Sequence, residues 1–436
     1  MTEKRKILSV SFSYYKTDAR TLNLLTILNK LGFEIHLICF ADFVDITKCE
    51  IESNIKQELK VEFIIYPVEL SVFMDKSLNS YKKLLYFNDF VNKNYIREFK
   101  KDIKNDLKND LKTNHQTFEY IIANDLYALP SAAKLFKYIK QISDSCKLIY
   151  DSREVYSQIS TLNNKKLKQI VLTQIEKFYV KNVNSIITSG ILDTEYLKTH
   201  FAKTNKELEY FEIYNYPPFI DIESLDKNKL RDKYNIPKDK IVILYQGKIM
   251  KNRGLDLILD VLEELENSDL YKSKIHFCLM GEGELESEIK SKSQQKSLTN
   301  ITFCGFVNYN ELLEYTVGAD WGLVLFEPVS VSYDFSLPNK LFEFIMAEVP
   351  VITNELPAIK EVIDKYNCGK LIAKKFTKDD LYECIIGIIK ERKIFEEINL
   401  TDEKLINKKT NKVNLLAAKQ EYNYNKQEKL IKHIFQ

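Results

Sequence analysis

The chain has 436 residues, which is too long for one ordinary domain and predicts two. Its 64 basic and 62 acidic residues leave a formal net charge of +2, so charge gives no reason to expect a nucleic-acid partner. The seven cysteines form no C-x2-C pair, and no apolar run reaches the roughly 18 residues of a membrane span. We therefore expect a cytoplasmic protein with reduced thiols.

Strands alternate with helices in the first half, which predicts a parallel α/β sheet. Helices are predicted at Ala19–Leu31 and Lys165–Lys181. The predicted strands are Ile7–Phe12, Glu34–Phe40, Val61–Tyr66, Tyr120–Ala123, Lys147–Tyr150 and Ser185–Thr188. We assign residues 1–214 to this first domain.

Two prolines in Tyr214–Pro218 interrupt the alternation, and a second series follows. A helix is predicted at Leu255–Leu265. The predicted strands are Ile241–Tyr245, Ile275–Met280, Ile301–Phe303, Trp321–Leu325 and Val351–Ile352. Residues 215–410 then form a second Rossmann-like domain, and 411–436 a helix that crosses back onto the first. The two sheets are expected to face a cleft.

The insert at residues 80–112 interleaves basic and apolar side chains. A basic amphipathic helix can lie on an anionic membrane surface, which would make the protein peripheral at the inner face of the cell membrane. The alternative is a surface helix that covers the sheet and turns its charged face to solvent. Interleaved acids toward the end of the insert favour the alternative.

Polar residues follow three strands of the first domain, where ligands bind in open α/β sheets. Asn124 and Asp125 follow one strand, and Arg153 and Glu154 follow the next. Asp18 follows the first strand. Each aspartate can instead cap a helix, as can Asp151, and we favour capping for Asp18.

The second domain opens with ILYQGKIMKNRGLDLIL, in which Lys248 and Arg253 lie between a strand and a helix. Two cations at such a junction suit a diphosphate, although they can also be ordinary solvated side chains. The G-x-G at Gly281 and Gly283 lacks the third glycine of a dinucleotide fingerprint, so we interpret it as a structural turn.

The segment Ser336–Thr353, SLPNKLFEFIMAEVPVIT, predicts a helix that begins after Pro338 and contains one carboxylate, Glu343. The N–H groups at a helix start can bind a phosphate, here those of Asn339 and Lys340. A carboxylate one turn further can accept hydrogen bonds from sugar hydroxyls. The alternative is a capped helix with one solvated glutamate.

This segment resembles the donor site of the retaining glycosyltransferases of family 4, which have the GT-B fold. Glu343 matches the second glutamate of the family pattern, whereas Phe335 stands where the first would fall. Lys248 and Arg253 match the two basic residues that grip the donor diphosphate, with Lys and Arg exchanged. The chain after Gly305 lines the base pocket in the family, which implies contacts from Phe306 and Val307. Core packing is the alternative for these two side chains.

The resemblance implies a retaining transferase that moves a sugar from a UDP-sugar to a glycan or lipid-linked acceptor in surface polysaccharide biosynthesis. Lys248, Arg253, Asn124 and Asp125 would be catalytic, and Asp18, Arg153 and Glu154 would contact the acceptor. The nucleotide sugar is a substrate, and neither a cofactor nor a metal is implied. Alternatives are a sugar-nucleotide epimerase of the same fold and a non-catalytic partner subunit in polysaccharide assembly.

Overall fold

The computed structural model describes residues 5–15, 18–41, 47–52, 60–75, 77–78, 80–98, 100–101, 118–397 and 414–436. Contacts divide the chain into two compact units. The first unit comprises Met1–Asn215 and Gln427–Gln436, and the second comprises Tyr216–Lys426.

The first unit contains one eight-stranded sheet in the order β3-β4-β2-β1-β5-β6-β7-β8. Every neighbouring pair is parallel except β3 and β4. The strand order reverses at β1, so a crevice for a ligand is expected at the carboxyl ends of β1 and β5. The strands are β1 Lys6–Tyr14, β2 Glu34–Ala41, β3 Thr47–Glu52, β4 Lys60–Glu69, β5 Phe118–Asn124, β6 Lys147–Ser152, β7 Ser185–Thr188 and β8 Glu209–Glu212.

Helices cover this sheet because strands buried on both faces need apolar partners. The helices are α1 Ala19–Lys30, α2 Leu70–Met74, α3 Ser80–Val91, α4 Leu129–Ile139, α5 Lys166–Val180 and α6 Ile191–Phe201. Helix α3 continues into a π-helical turn at Asn92–Ile96. Its Phe87 and Val91 are completely buried in the core, so this part of the insert covers the sheet. The remainder of the predicted insert, 102–112, lies outside the described residues.

The second unit contains a six-stranded sheet in the order β11-β10-β9-β12-β13-β14, parallel throughout. Its order reverses at β9, so the corresponding crevice lies at the ends of β9 and β12. The strands are β9 Ile241–Gln246, β10 Ile275–Met280, β11 Ile301–Gly305, β12 Trp321–Val324, β13 Val351–Asn354 and β14 Gly369–Ile372. The helices are α7 Lys229–Lys233, α8 Leu255–Glu266, α9 Glu286–Gln295, α10 Tyr309–Thr316, α11 Val331–Phe335, α12 Asn339–Met346, α13 Pro357–Tyr366 and α14 Lys378–Glu397.

The C-terminal segment is two helices rather than one. Helix α15 spans 414–421, and α16 spans Glu428–Ile434 after a 3-10 turn at Tyr424–Gln427. The Gln427 side chain donates to the Tyr214 carbonyl and accepts from the Tyr214 N–H, both at 2.6 Å. Beyond it, the Phe435 ring packs 4.9 Å from the ring of Tyr120. The last ten residues therefore complete the core of the first unit.

Two Rossmann-like units with parallel sheets confirm the predicted fold class. Most predicted strands are present with ends shifted by a few residues. The strands β3, β8 and β14 were not predicted. The last two are only four residues long, and Glu209–Glu212 has acids at both ends, which hides a strand pattern.

Candidate active site

The loop after β9 is held against the loop after β10 by glycines. Gly247 has φ +122°, a conformation that L side chains rarely adopt. A Cβ on Gly281 would lie 2.0 Å from the Gly247 carbonyl oxygen, and one on Gly283 would lie 2.2 Å from that of Ile249. The G-x-G is thus a close backbone approach, as the interpretation of a structural turn requires. The loop presents Lys248 as an exposed side chain.

Arg253 is held by aromatic rings. Its guanidinium carbon lies 4.0 Å from the ring centre of Phe326 and 5.3 Å from that of Tyr333. Its Nη1 is buried, and no described residue accepts a hydrogen bond from it. Stacking fixes the plane of the guanidinium while leaving a donor unused. A planar cation in this state is suited to an anion with several oxygens.

Lys340 lies in the first turn of α12 and shares an aromatic ring with Arg253. Its Nζ is 4.3 Å from the ring centre of Tyr245 and 5.1 Å from that of Phe326. Burial lowers the pKa of this ammonium to about 7, with a further lowering from the charge of Arg253. Neither cation is paired with a carboxylate in the described part of the chain. Asn339, the first residue of the helix, is exposed.

Glu343 is buried, at 8% exposure, so the alternative of a solvated glutamate is wrong. Its Oε2 accepts a hydrogen bond of 2.6 Å from Nε2 of Gln246, the last residue of β9. The Thr316 hydroxyl in turn donates to Oε1 of Gln246 at 3.0 Å. Burial raises the pKa of Glu343 to about 7, opposed by the hydrogen bond from Gln246 and the charge of Lys340.

The chain after Gly305 presents an aromatic side chain to solvent. Phe306 is 66% exposed, so core packing is wrong for this residue, whereas Val307 is half-buried. An exposed phenyl ring has a free face on which a planar base can stack. Phe335, which replaces the first glutamate of the family pattern, ends the short helix α11 and is half-buried.

In the first unit, Asp18 caps α1 by accepting from the Thr21 N–H at 3.1 Å, as predicted. Its two oxygens also accept from Arg153 at 3.0 and 3.1 Å. Burial opposes ionisation of this carboxyl, but the charge of Arg153 and the hydrogen bonds prevail and lower its pKa to about 2. Arg153 is therefore already neutralised.

Asp151 is part of a buried ion pair and not a helix cap. Arg20 donates to it from Nε at 2.9 Å and from Nη2 at 2.6 Å. Nη1 of Arg20 donates to the Ile213 carbonyl at 2.7 Å. The capping alternative for Asp151 is wrong, because this residue lies within the strand β6. The sequence did not indicate its partner because Arg20 lies far away along the chain, on α1.

The remaining predicted residues of the first unit have different environments. Asp125, at φ +85°, accepts from the Ala128 N–H at 2.9 Å, and burial raises its pKa to about 7 against the charge of Arg153. Asn124 is completely buried, and its amide donates to the Ser9 hydroxyl at 2.6 Å. Such burial favours a structural role for Asn124 over the predicted catalytic one. Glu154 is exposed.

Among the described residues, no group of three or more His, Cys, Asp or Glu side chains is placed to hold a metal ion. None of their helices is long and apolar enough to cross a membrane.

Comparisons with known proteins point to one family for the second unit. Residues 226–409 match the family described as Glycosyl transferases group 1. A segment of 123 residues is 27% identical to the putative colanic acid biosynthesis glycosyl transferase WcaI of Escherichia coli, over 28% of each chain. A longer match is 25% identical to the chitobiosyldiphosphodolichol beta-mannosyltransferase of Debaryomyces hansenii, over 64% of this chain and 63% of that protein. The chain thus spans less than two thirds of these relatives.

A solved structure matches over nearly the whole length. HepE from Anabaena in complex with UDP-glucose has a TM-score of 0.63 at 13% identity, over 98% of both chains. This likeness shows the GT-B fold predicted from the sequence. Residues 226–409 therefore match the group 1 glycosyl transferase domain, within a chain of that fold.

Proposed function

We propose that this chain, with its group 1 glycosyl transferase domain, is a retaining glycosyltransferase. It moves a sugar from a UDP-sugar to a glycan or lipid-linked acceptor in surface polysaccharide biosynthesis, without a metal. The name of the WcaI relative supports the polysaccharide context. The bound UDP-glucose of HepE supports a UDP-sugar donor.

One observation carries the proposal: Arg253 and Lys340 stack on the same ring of Phe326, with no carboxylate paired to either cation among the described residues. Burial lowers the pKa of Lys340, and the like charge of Arg253 lowers it further, so the two cations also repel each other. A diphosphate would relieve the repulsion and use the unpaired Nη1 of Arg253. The site is therefore organised in advance for an anion.

The same cations would stabilise the departing group. In the transfer, the bond between the anomeric carbon and the β-phosphate oxygen breaks, and that carbon bonds to the acceptor oxygen. The acceptor proton leaves with the diphosphate, whose growing charge Lys248, Arg253 and Lys340 would neutralise. Fixed charges aimed at a leaving group are worth roughly 10²–10³ in rate per contact. The N–H groups of Asn339 and Lys340 would add to them.

Glu343 and Phe306 would hold the nucleoside. The Glu343 carboxylate, oriented by Gln246, would accept hydrogen bonds from the ribose hydroxyls. Phe306 would stack on the base. Gln246 thus enters the proposed site as a positioning residue that no motif indicated.

The acceptor would bind the first unit at the carboxyl ends of β5 and β6. Asp125 combines burial with a pKa raised to about 7, so it could donate or accept a hydrogen bond with an acceptor hydroxyl near neutral pH and orient it. Glu154, which is exposed, and the paired Asp18 and Arg153 would contact the rest of the acceptor.

The test compares UDP and uridine affinities for Lys248→Ala and Arg253→Ala by calorimetry. We expect both variants to bind UDP more weakly and uridine as before, because the cations would contact only phosphate. The matched control is Lys238→Ala, which removes an exposed lysine elsewhere in the second unit. Equal losses for both ligands would contradict the assignment.

Activity is tested separately with a panel of nucleotide sugars. A bound donor at 100 times its Kd should stabilise the protein by about 2.7 kcal/mol. Product analysis then gives the outcome: transfer with the donor's anomeric configuration supports the proposal. Inverted product would contradict retention, and an epimerised donor would instead identify an epimerase. A protein that binds donor without converting it would be a partner subunit.

A further inference from the structure

The outward face of α5 in the first unit is apolar. Residues three and four apart lie on one side of a helix, so its exposed apolar side chains form a continuous stripe. The stripe comprises Leu167, Ile170, Val171, Ile175 and Phe178, each at least 40% exposed. Such a stripe normally faces a core, yet here Leu167 is 81% exposed.

The opposite side of α5 fixes this orientation. Glu176 is 1% exposed and accepts a hydrogen bond of 2.8 Å from the Tyr150 hydroxyl. Val180 is completely buried beside it. Glu176 is the only acid in α5, so the anchor also removes the one carboxylate from the outward face.

Lysines surround the stripe. Exposed lysines of α5 and its flanks, and of the neighbouring helix α4, have no paired carboxylate in the described part of the chain. They are Lys165, Lys166, Lys168, Lys181, Lys134 and Lys137. Helix α4 contains no acid. On α5 itself, helical spacing sets Lys166 and Lys168 at the two edges of the stripe, so its outward side is apolar along the centre and positively charged at the edges.

We propose that α5 docks the protein on an anionic phospholipid bilayer, independently of the reaction proposed above. The stripe lies at the boundary between headgroups and acyl chains, and the lysines extend to the lipid phosphates. Charge complementarity selects this partner: two copies of the face would bring unpaired lysines together, which opposes self-association.

The docking helix differs from the insert that the sequence indicated. Helix α3 turns Phe87 and Val91 into the core, which leaves Tyr81 and Leu85 as its exposed large apolar side chains. Its Asp89 is paired with Lys93 at 2.6 Å. Helix α3 therefore offers less apolar surface and less free charge than α5.

The test is sedimentation of the full chain with vesicles of phosphatidylcholine, alone or mixed equally with phosphatidylglycerol. Binding is expected only to the anionic vesicles and weakens as salt rises. Phe178→Glu should lower the partition coefficient at least about tenfold, because it removes an exposed phenyl ring that the bilayer would bury. Lys166→Gln and Lys168→Gln should each lower it about fivefold.

Matched controls are Leu270→Glu, at a residue that is 74% exposed in the second unit, and Lys238→Gln. Both should bind as the unaltered protein does, and circular dichroism checks that every variant is folded. The proposal is overturned if the unaltered protein stays in the supernatant, or if the α5 variants sediment normally. Loss of binding in Leu85→Glu alone would assign the contact to α3. A change of oligomeric state in α5 variants without lipid would make the face a self-association surface.

Discussion

The charged groups at the strand ends of the two units are arranged in opposite ways. In the first unit, Arg20 and Arg153 are paired with buried aspartates. In the second, Arg253 and Lys340 rest on aromatic rings, and no described carboxylate is paired with them. Paired charges maintain a fold, whereas cations held in place without a counter-ion are suited to bind one. The difference supports the proposal that the cations of the second unit bind an anionic ligand.

The largest expected effect is on the stability of the first unit. Arg20→Met leaves the buried Asp151 with only Arg153 as a cation, whose Nε lies 3.6 Å away, and should cost about 3 kcal/mol of the free energy of unfolding. Urea unfolding, followed by a probe in the first unit, measures it. Arg253→Met should cost less than about 1 kcal/mol, since only ring contacts are lost. Equal costs would remove the distinction between the units.

A smaller effect is expected on the pH dependence of stability. The folded pKa of Glu343 is raised to about 7 from its ordinary value of 4.5, so the folded state holds its proton more tightly than the unfolded state. The contribution of Glu343 to stability therefore falls as pH rises from about 4.5 through 7. Glu343→Gln lacks this loss, so its free energy of unfolding should rise by about 1–3 kcal/mol relative to that of the unaltered protein between pH 5 and 8.

For Asp18→Asn, the expected change of stability with pH has the opposite sign. The folded pKa of Asp18 is lowered to about 2 from 3.8, so its contribution to stability is present above its unfolded pKa and is lost as pH falls through the folded one. This variant should lose stability relative to the unaltered protein as pH rises from about 2 to 4. Parallel profiles for the two variants would show that the carboxylates do not differ as the structure indicates.

The smallest expected effect concerns Phe306. Because its ring is 66% exposed, Phe306→Ala should leave stability unchanged and weaken UDP binding by about 0.5–1.5 kcal/mol, roughly 2- to 12-fold in Kd. Pyrophosphate, which has no base, should bind as before. Leu270→Ala serves as the exposed control. Equal weakening of UDP and pyrophosphate would mean that Phe306 does not stack on a base.

The sequence predicted those features that depend on neighbours along the chain. The strand–helix alternation gave the fold class, and the start of α12 placed Lys340 and Glu343 on one helix. The ion pair of Arg20 and Asp151 joins residues 131 positions apart, so no local pattern could indicate it. Gln246 lies at the end of a buried strand, and only the distant Glu343 shows why a polar side chain stands there.

Helix α5 shows a second limit. Helical periodicity identifies an apolar face but does not say whether that face meets a core or solvent. Here the side of α5 that carries Glu176 packs inward, since the Tyr150 hydroxyl satisfies the carboxylate. Leu172, Tyr179 and Val180 of the same helix also pack against the core, so α5 has apolar side chains on both sides and periodicity alone does not say which side faces inward.

The first unit includes Gln427 and Phe435, so it can complete its folding only after the C-terminus has been synthesised. Domains usually fold as they leave the ribosome, the N-terminal one first. Arg5 also pairs with Glu119 at 2.7 Å, but its second partner, the Phe435 carbonyl at 3.1 Å, is made only after the entire second unit has been translated. While the second unit is being translated, the surface of the first unit around Tyr120 therefore stays uncovered. A chaperone could bind this surface during that time.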